Sequence, residues 1–246
     1  MSENIIGYID NQGNIIDTQS AGENCTATPI EYDNSDAALE IIRHSTAHLM
    51  AQAITELYPN SQFFVGPVVD EGFYYDFRVD QKIGEEDLKT IEKKMKDLIK
   101  QKYTIEKYEM SKAEALEKFA HDDLKQKVMS RISDEVLSVY KQGDFEDLCR
   151  GPHVPALRFL HNFKLTRVAG AYLGGDEKAE MLTRIYGIAF ADKETLQAHI
   201  TMLEEAKKRD HRKIGQEMEL FMFNDAAGPG LPFWMPKGAK LRYKLE

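Results

Sequence analysis

The chain has 246 residues, 42% hydrophobic and 30% charged, with a net charge of −9 at pH 7 and two cysteines. These values describe an ordinary globular protein with enough length for one large domain or two small ones. They exclude a disulfide framework, and they exclude indiscriminate polyanion binding by the whole chain, so a nucleic-acid partner needs a local basic patch. No apolar run is long enough to cross a bilayer, and MSENIIGYIDNQGN lacks the charged-then-apolar order of a secretory signal. The chain therefore reads as cytoplasmic, without a membrane partner and with Cys25 and Cys149 as thiols.

Residues 1–34 are polar and carry one hairpin signal, IIGYIDNQGNIID, turning at Asn11–Asn14; alone they offer too little apolar surface for a core. Cys25 reads as an inert loop cysteine. A helix opens at Ser35, with Asp36 and Glu40 near the positive end of its dipole, and ends before Pro59. Leu39, Ile42, Leu49, Met50, Ala53 and Leu57 form its apolar stripe. FFVGPVVDEGFYYDFRV reads as two short strands broken at Gly66-Pro67 and Glu71-Gly72.

A second amphipathic helix spans Glu85 to about Lys102, and Ser111 to Glu114 is a capping box opening a third. The pattern is ambiguous over 126–129. VLSVY then reads as a strand, Gln142-Gly143 as a turn and DFEDLCRGPHVP as a strand entering a loop. FKLTRVAGAYL and MLTRIYGIAF pair as a hairpin, and a long helix from Asp192 to about Phe221 contains the run KKRDHRK. That run reads as a solvated face, or as phosphate contacts if the chain handles RNA. A tail opening with Gly-Pro-Gly enters something new. Helices interleaved with a largely antiparallel sheet give an α+β class, with a long histidine-bearing helix forming a cleft and a helical linker after it.

His44-Ser-Thr-Ala-His48 puts two imidazoles one helical turn apart on the same side. At about 100° per residue they lie roughly half a turn from the apolar stripe. The helix is thus expected to pack by one face and offer its histidines to a cleft. A metalloprotease of the HExxH type needs Glu after the first histidine, and Ser45 stands there. Cys149-Arg-Gly-Pro-His153 cannot be helical at Pro152 and reads as a shaped loop aiming two further donors. Arg150 favours the Cys149 thiolate. Three imidazoles and a thiolate suit Zn²⁺. His121, His161, His199 and His211 read as surface residues.

HSTAH, VGPVVDEGFYYDF, DLCRGPHVP and KLTRVAGAYLGGDEKAEMLTRIYGIAF together resemble the N-terminal part of bacterial threonyl-tRNA synthetases, from about Ser35 to the end. The resemblance implies a degenerate N-terminal segment at 1–34, in place of a ubiquitin-like domain, and an editing domain at 35–191 shared with alanyl-tRNA synthetases. A linker helix follows at 192–222, then a truncated start of the class II catalytic domain at 223–246. It implies hydrolysis of mischarged seryl-tRNA(Thr), with His44, His48, Cys149 and His153 as the catalytic tetrad. Lys127 and Asp147 join as further catalytic groups, and Gly66 and Tyr75 shape the pocket. For Tyr75 strand packing, and for Lys127 a solvent position, are the alternatives.

The same four residues form the possible zinc site, and a metal-free path through a held water is the other route. ATP, magnesium and a synthetic-site zinc belong to the full-length parent, which ligates threonine to tRNA(Thr), and the motifs for that step are absent from this sequence. The implied partners are the tRNA(Thr) acceptor end, the catalytic and anticodon-binding domains of the same polypeptide, and a second parent subunit in a homodimer. Two other readings stand beside this one: a non-catalytic tRNA-acceptor-binding module stapled by its tetrad, and a free-standing alanyl-type deacylase.

Overall fold

The computed structural model describes residues 4–21, 26–224, 228 and 230–245. Cys25 and Pro229 of the Gly-Pro-Gly tract lie outside the described residues. The chain divides into two compact units, Met1–Leu196 and Gln197–Glu246. Every strand pair is antiparallel, and helices alternate with the strands, which makes the fold α+β.

In the first unit α1 (Asp36–Leu57) is the axis. It starts after Ser35 and stops before Pro59, as its punctuation requires. Its environment differs from the expected single stripe, because Leu39, Ile42, Leu49, Met50 and Ala53 are buried and so are Ile41, Ser45, His48 and Ala51 on the other side. A helix covered all round cannot present an open histidine face. The small residues between its histidines admit another segment of chain directly onto them.

One side of α1 meets the sheet β10 (Phe163–Tyr172), β11 (Met181–Ala189), β6 (Gly72–Arg78) and β4 (Gln62–Phe63), in that order, with β5 (Val68–Val69) also paired to β6. Phe73, Tyr75 and Phe77 alternate inward from β6 with 2% exposure or less, the period-2 pattern of a half-buried strand. The two strands read across this stretch are in fact three, because Gly66-Pro67 and Glu71-Gly72 each interrupt the ladder. The long hairpin β10–β11 forms as read. A second helix, α2 (Leu88–Lys100), buries Leu88, Ile91, Met95, Leu98 and Ile99 in the same core.

A three-stranded sheet carries the other half of the site: β7 (Ile105–Ser111), β8 (Val136–Gln142) and β9 (Phe145–Leu148). The charged stretch of β7 shows no clean alternation, which is why it escaped the sequence reading. Two short helices connect β7 to β8. The capping box of α3 (Lys112–Lys118) closes as predicted, with Ser111 N donating to Glu114 Oε2 at 2.8 Å and Glu114 N to Ser111 Oγ at 3.3 Å. The ambiguous stretch is α4 (Asp123–Ser130), opened by Asp122, whose side chain accepts from Lys125 N at 2.9 Å.

Residues 1–34 are not a separate piece. β1 (Ile5–Ile9) pairs with β2 (Ile15–Ile16) in the expected hairpin and with β3 (Thr28–Glu31), a strand not read from the sequence. Ile6 and Ile30 enter the same core as α1, so the segment borrows a core that it could not build alone.

The expected single linker helix is two helices, α5 (Lys193–Lys208) and α6 (His211–Glu217). Asp210 interrupts them by capping α6, accepting from Arg212 N at 2.9 Å. Much of the KKRDHRK charge closes on neighbouring acids in pairs such as Lys208–Glu205 and Lys213–Glu217. The second unit ends in a hairpin of β12 (Phe221–Phe223) and β13 (Pro232–Trp234), then α7 (Pro236–Leu245). Among the described residues, no helix is long and apolar enough to cross a membrane.

Candidate active site and metal centre

His44 and His48 project from α1 toward the loop that leaves β9, and that loop returns Cys149 and His153 to them. One donor atom from each of the four residues lies within 4.8 Å of all the others. The His44 and His48 rings stand 4.3 Å from the His153 ring between centroids. Cys149 Sγ is 3.1 Å from His44 Nε2 and 3.4 Å from His153 Nε2. Ligand–ligand edges around a tetrahedral zinc with Zn–N ~2.0 Å and Zn–S ~2.3 Å come to roughly 3.3–3.6 Å. The donor set therefore fits zinc in chemistry, and its two sulfur–nitrogen separations of 3.1 and 3.4 Å lie close to such edges within a cluster up to 4.8 Å across.

The surrounding hydrogen bonds fix which nitrogens are free. Ser45 Oγ donates its one proton to the Ile41 carbonyl at 2.7 Å and accepts from Val154 N at 2.9 Å. His153 Nδ1, 3.2 Å from the same oxygen, must then be the donor, which leaves Nε2 with its lone pair toward Cys149. His44 bonds the Pro152 carbonyl and turns Nε2 toward the sulfur. Outer partners of this kind orient metal-ligating histidines.

Burial removes charge from the tetrad. It lowers His44 to about 4 and His48 to about 3, against the opposing pull of Asp147, and takes His153 well below the ordinary imidazole value. Burial likewise pushes the Cys149 thiol up to about 12. The thiolate favoured by Arg150 does not form this way, since Arg150 lies out in solvent near Asp134. At neutral pH the site holds three neutral imidazoles and a thiol that only a bound cation would ionise.

A charged group sits against this neutral one. Asp147, 1% exposed, accepts from the Tyr75 hydroxyl at 2.5 Å and lies 3.9 Å from His48 Nε2. Its other oxygen pairs with Lys125, which is 3% exposed. Burial alone would raise the Asp147 carboxyl, but Lys125, His48 and Tyr75 together hold it below the usual range. Tyr75 therefore does more than pack its strand. Gly66 lies against the Tyr75 ring, where a Cβ would come within 2.6 Å of it.

The structure brings together His44, His48, Cys149, His153, Asp147, Tyr75 and Gly66, but not Lys127. Lys127 is exposed and faces Asp123 and Glu180 at 3.7 and 3.8 Å. Two residues of helix turn a side chain by about 200°, so Lys125 and Lys127 occupy opposite faces of α4. The lysine that the fold places against Asp147 is Lys125, which the sequence did not single out. Its signal was Asp122 as N-cap, with Leu124 and Met129 marking the buried side.

Two pockets flank the cluster. One of ≈350 Å³ reaches Asp147 and Lys125 past Gln52, Phe63 and Phe145, and includes the exposed His121. The other, of ≈420 Å³, reaches Cys149 past Phe64, Val136 and Arg131. His161 is exposed and is not part of the tetrad; in the second unit His211 is exposed and His199 half-buried.

Residues 137–186, from β8 through Cys149 and His153 into β11, match the threonyl and alanyl tRNA synthetase second additional domain. The whole chain is also 84% identical to the threonine–tRNA ligase of Sulfurovum sp. strain NBC37-1. The chain belongs with the threonyl-tRNA synthetases. It is 65% identical to the threonine–tRNA ligase of Campylobacter lari and 63% identical to that of Helicobacter hepaticus, in each case over all of its own length. It spans 41% of the length of each of these three relatives. Within the family, it corresponds to the N-terminal portion that carries the editing domain.

Proposed function

We propose that this part of the synthetase hydrolyses the aminoacyl ester of mischarged seryl-tRNA(Thr). The observation that carries the reading is the meeting of four neutral donors with a paired buried carboxylate between two pockets, with Asp147, Cys149 and His153 inside the matched segment and His44, His48 and Lys125 brought to it by the fold. The need for the reaction is physical. A synthetic site that admits threonine distinguishes serine by one methyl group, ~1–3 kcal/mol, and a second site sized for serine can reject threonine sterically.

In the reaction, water oxygen bonds to the ester carbonyl carbon, and the bond from that carbon to the ribose oxygen breaks. The water proton passes to a base and the ribose oxygen leaves as a hydroxyl. His44 and His48 stay unprotonated at neutral pH and can accept that proton. Asp147, 3.9 Å from His48 Nε2, stabilises the imidazolium that results, and Lys125 and Tyr75 hold Asp147 in place. Held by His44, His48, Cys149 and His153, zinc would polarise the carbonyl or acidify water.

The four-donor set also favours a second reading. Four protein ligands complete a tetrahedron, and closed zinc sites are structural ones. In that reading the tetrad staples a tRNA-acceptor-binding module. Hydrolysis of seryl-tRNA(Thr), threonyl-tRNA(Thr) and alanyl-tRNA(Ala), with and without chelator, separates the readings. Loss of the seryl ester alone supports editing, undiminished activity in a metal-free sample selects the held-water route, and preference for the alanyl ester selects an alanyl-type deacylase. No hydrolysis, with tRNA still bound, selects the stapled module.

As part of a longer ligase, the chain would act in the cytoplasm beside catalytic and anticodon-binding domains in a homodimer. ATP, magnesium and a synthetic-site zinc would serve ligation there.

A further inference from the structure

The N-terminal segment reaches the back of the tetrad loop through one buried carboxylate. Asp17 is 3% exposed and accepts from the Tyr140 hydroxyl at 2.6 Å. Its other oxygen accepts from Gln19 N at 3.1 Å and Ser20 N at 2.8 Å, so the group is tied at both ends. Gln19 then takes the place of a strand on the β7 edge. Its amide donates to the Ile105 carbonyl at 2.5 Å and accepts from Lys107 N at 2.8 Å. Lys107 pairs across the ladder with Tyr140, and Tyr140 pairs with Asp147.

Tyr140, 2% exposed, is in turn the surface on which the Cys149–His153 loop rests. Its ring meets the His153 ring edge-on at 4.4 Å between centroids. Gly151, at φ +76°, lies so close to the hydroxyl that a Cβ there would overlap it. The loop is otherwise held at its two ends. Cys149 N donates to the Ser138 carbonyl at 3.1 Å, Ser138 Oγ to the Cys149 carbonyl at 2.5 Å and Gly151 N to Cys149 Sγ at 3.3 Å. At the far end His153 Nδ1 and Val154 N donate to Ser45 Oγ at 3.2 and 2.9 Å, which leaves Tyr140 to support the middle of the loop.

We infer that Asp17 is a positioning residue: it locks Tyr140, and Tyr140 sets the loop that aims Cys149 and His153. The segment that looks expendable in sequence thereby becomes part of the site's support. The inference uses the proposed hydrolysis in its activity measurement alone.

The test is amide hydrogen exchange on the 246-residue chain, comparing wild type with Asp17→Ala, Asp17→Asn, Tyr140→Phe and the Asp17→Ala/Tyr140→Phe double variant. Exchange at Gly151 and Val154 is expected to quicken at least ~10-fold in Asp17→Ala and Tyr140→Phe, with α1 amides unchanged. The double variant should be no faster than either single one, and Asp17→Asn, which keeps an acceptor for Gln19 and Ser20, should fall between. On seryl-tRNA(Thr), kcat should fall ~10-fold with KM unchanged. Wild-type exchange at Gly151 and Val154 would overturn the inference, as would equal quickening throughout the core. If the wild type does not deacylate, the proposed reaction fails while the exchange rates still decide the positioning role.

Discussion

The tetrad and the Lys125–Asp147–Tyr75 group lie side by side and meet burial in opposite ways. His44, His48, His153 and Cys149 give up charge, whereas Asp147 keeps its charge by pairing. Neutral donors cost little to bury and keep lone pairs ready for a proton or a cation. A buried ion pair costs several kcal/mol of desolvation per ion and is tolerated only with its partners in place. The difference predicts that the charged group controls stability when broken, while the neutral group responds to acid and metal.

The sharpest break is Lys125→Met, which leaves Asp147 buried without its cation and should cost ~3–5 kcal/mol in urea unfolding. Lys125→Met with Asp147→Leu should recover part of that loss. If the double variant is no better than the single, Asp147 does not depend on Lys125.

Acid should expose the tetrad next. His44 sits at about 4 when folded and near 6.5 when unfolded, so below pH 6.5 the unfolded chain binds more protons. The stability is full above pH 6.5 and falls as pH drops toward 4, by roughly 3 kcal/mol from His44 alone in the metal-free protein. His48 and His153 act in the same direction, and depression of Asp147 adds a further loss at still lower pH. A flat denaturation midpoint from pH 7 to 4.5 would contradict buried neutral imidazoles.

Zinc gives a comparable shift of opposite sign. At 100 times its dissociation constant it should add ~2.7 kcal/mol to the folded state, and Cys149→Ser should reduce the effect. Equal melting with zinc and with chelator would remove the tetrad as a ligand set.

Gly66→Ala drives a methyl group against Tyr75 and should cost ~1–3 kcal/mol, with a larger loss of deacylation as Asp147 loses its hydroxyl partner. The smallest change is Lys127→Ala, within ~0.5 kcal/mol and without effect on hydrolysis, because Lys127 is exposed. A large loss there would restore Lys127 in place of Lys125.

Much of the fold and part of the site were legible in sequence because their signals are local. Ser35 and Pro59 bracket α1, Ser111 and Glu114 form a capping box, and β10–β11 alternates as a hairpin should. The HxxxH and CxxxH spacings each mark a pair of donors, and the structure gathers the two pairs in one place.

What was hidden depends on contacts distant in sequence. Helical phase separated the histidines from the apolar stripe, but it could not reveal that the loop through Val154 seals that side by bonding Ser45. Residues 1–34 looked too polar for a core because the core they use is supplied by α1. Lys125 and Lys127 are chemically alike, and a shift of two positions in the phase of α4 reverses which one is buried.

The most direct test of the central claim is single-turnover hydrolysis of seryl-tRNA(Thr) by the wild type and His44→Ala, with circular dichroism and tRNA binding followed on the same samples. A positioned acid–base group contributes ~10²–10⁴ in rate. The account predicts a His44→Ala protein that is folded and binds tRNA but deacylates at least ~100-fold more slowly. An unfolded variant, or one that hydrolyses the ester at the wild-type rate, would contradict it.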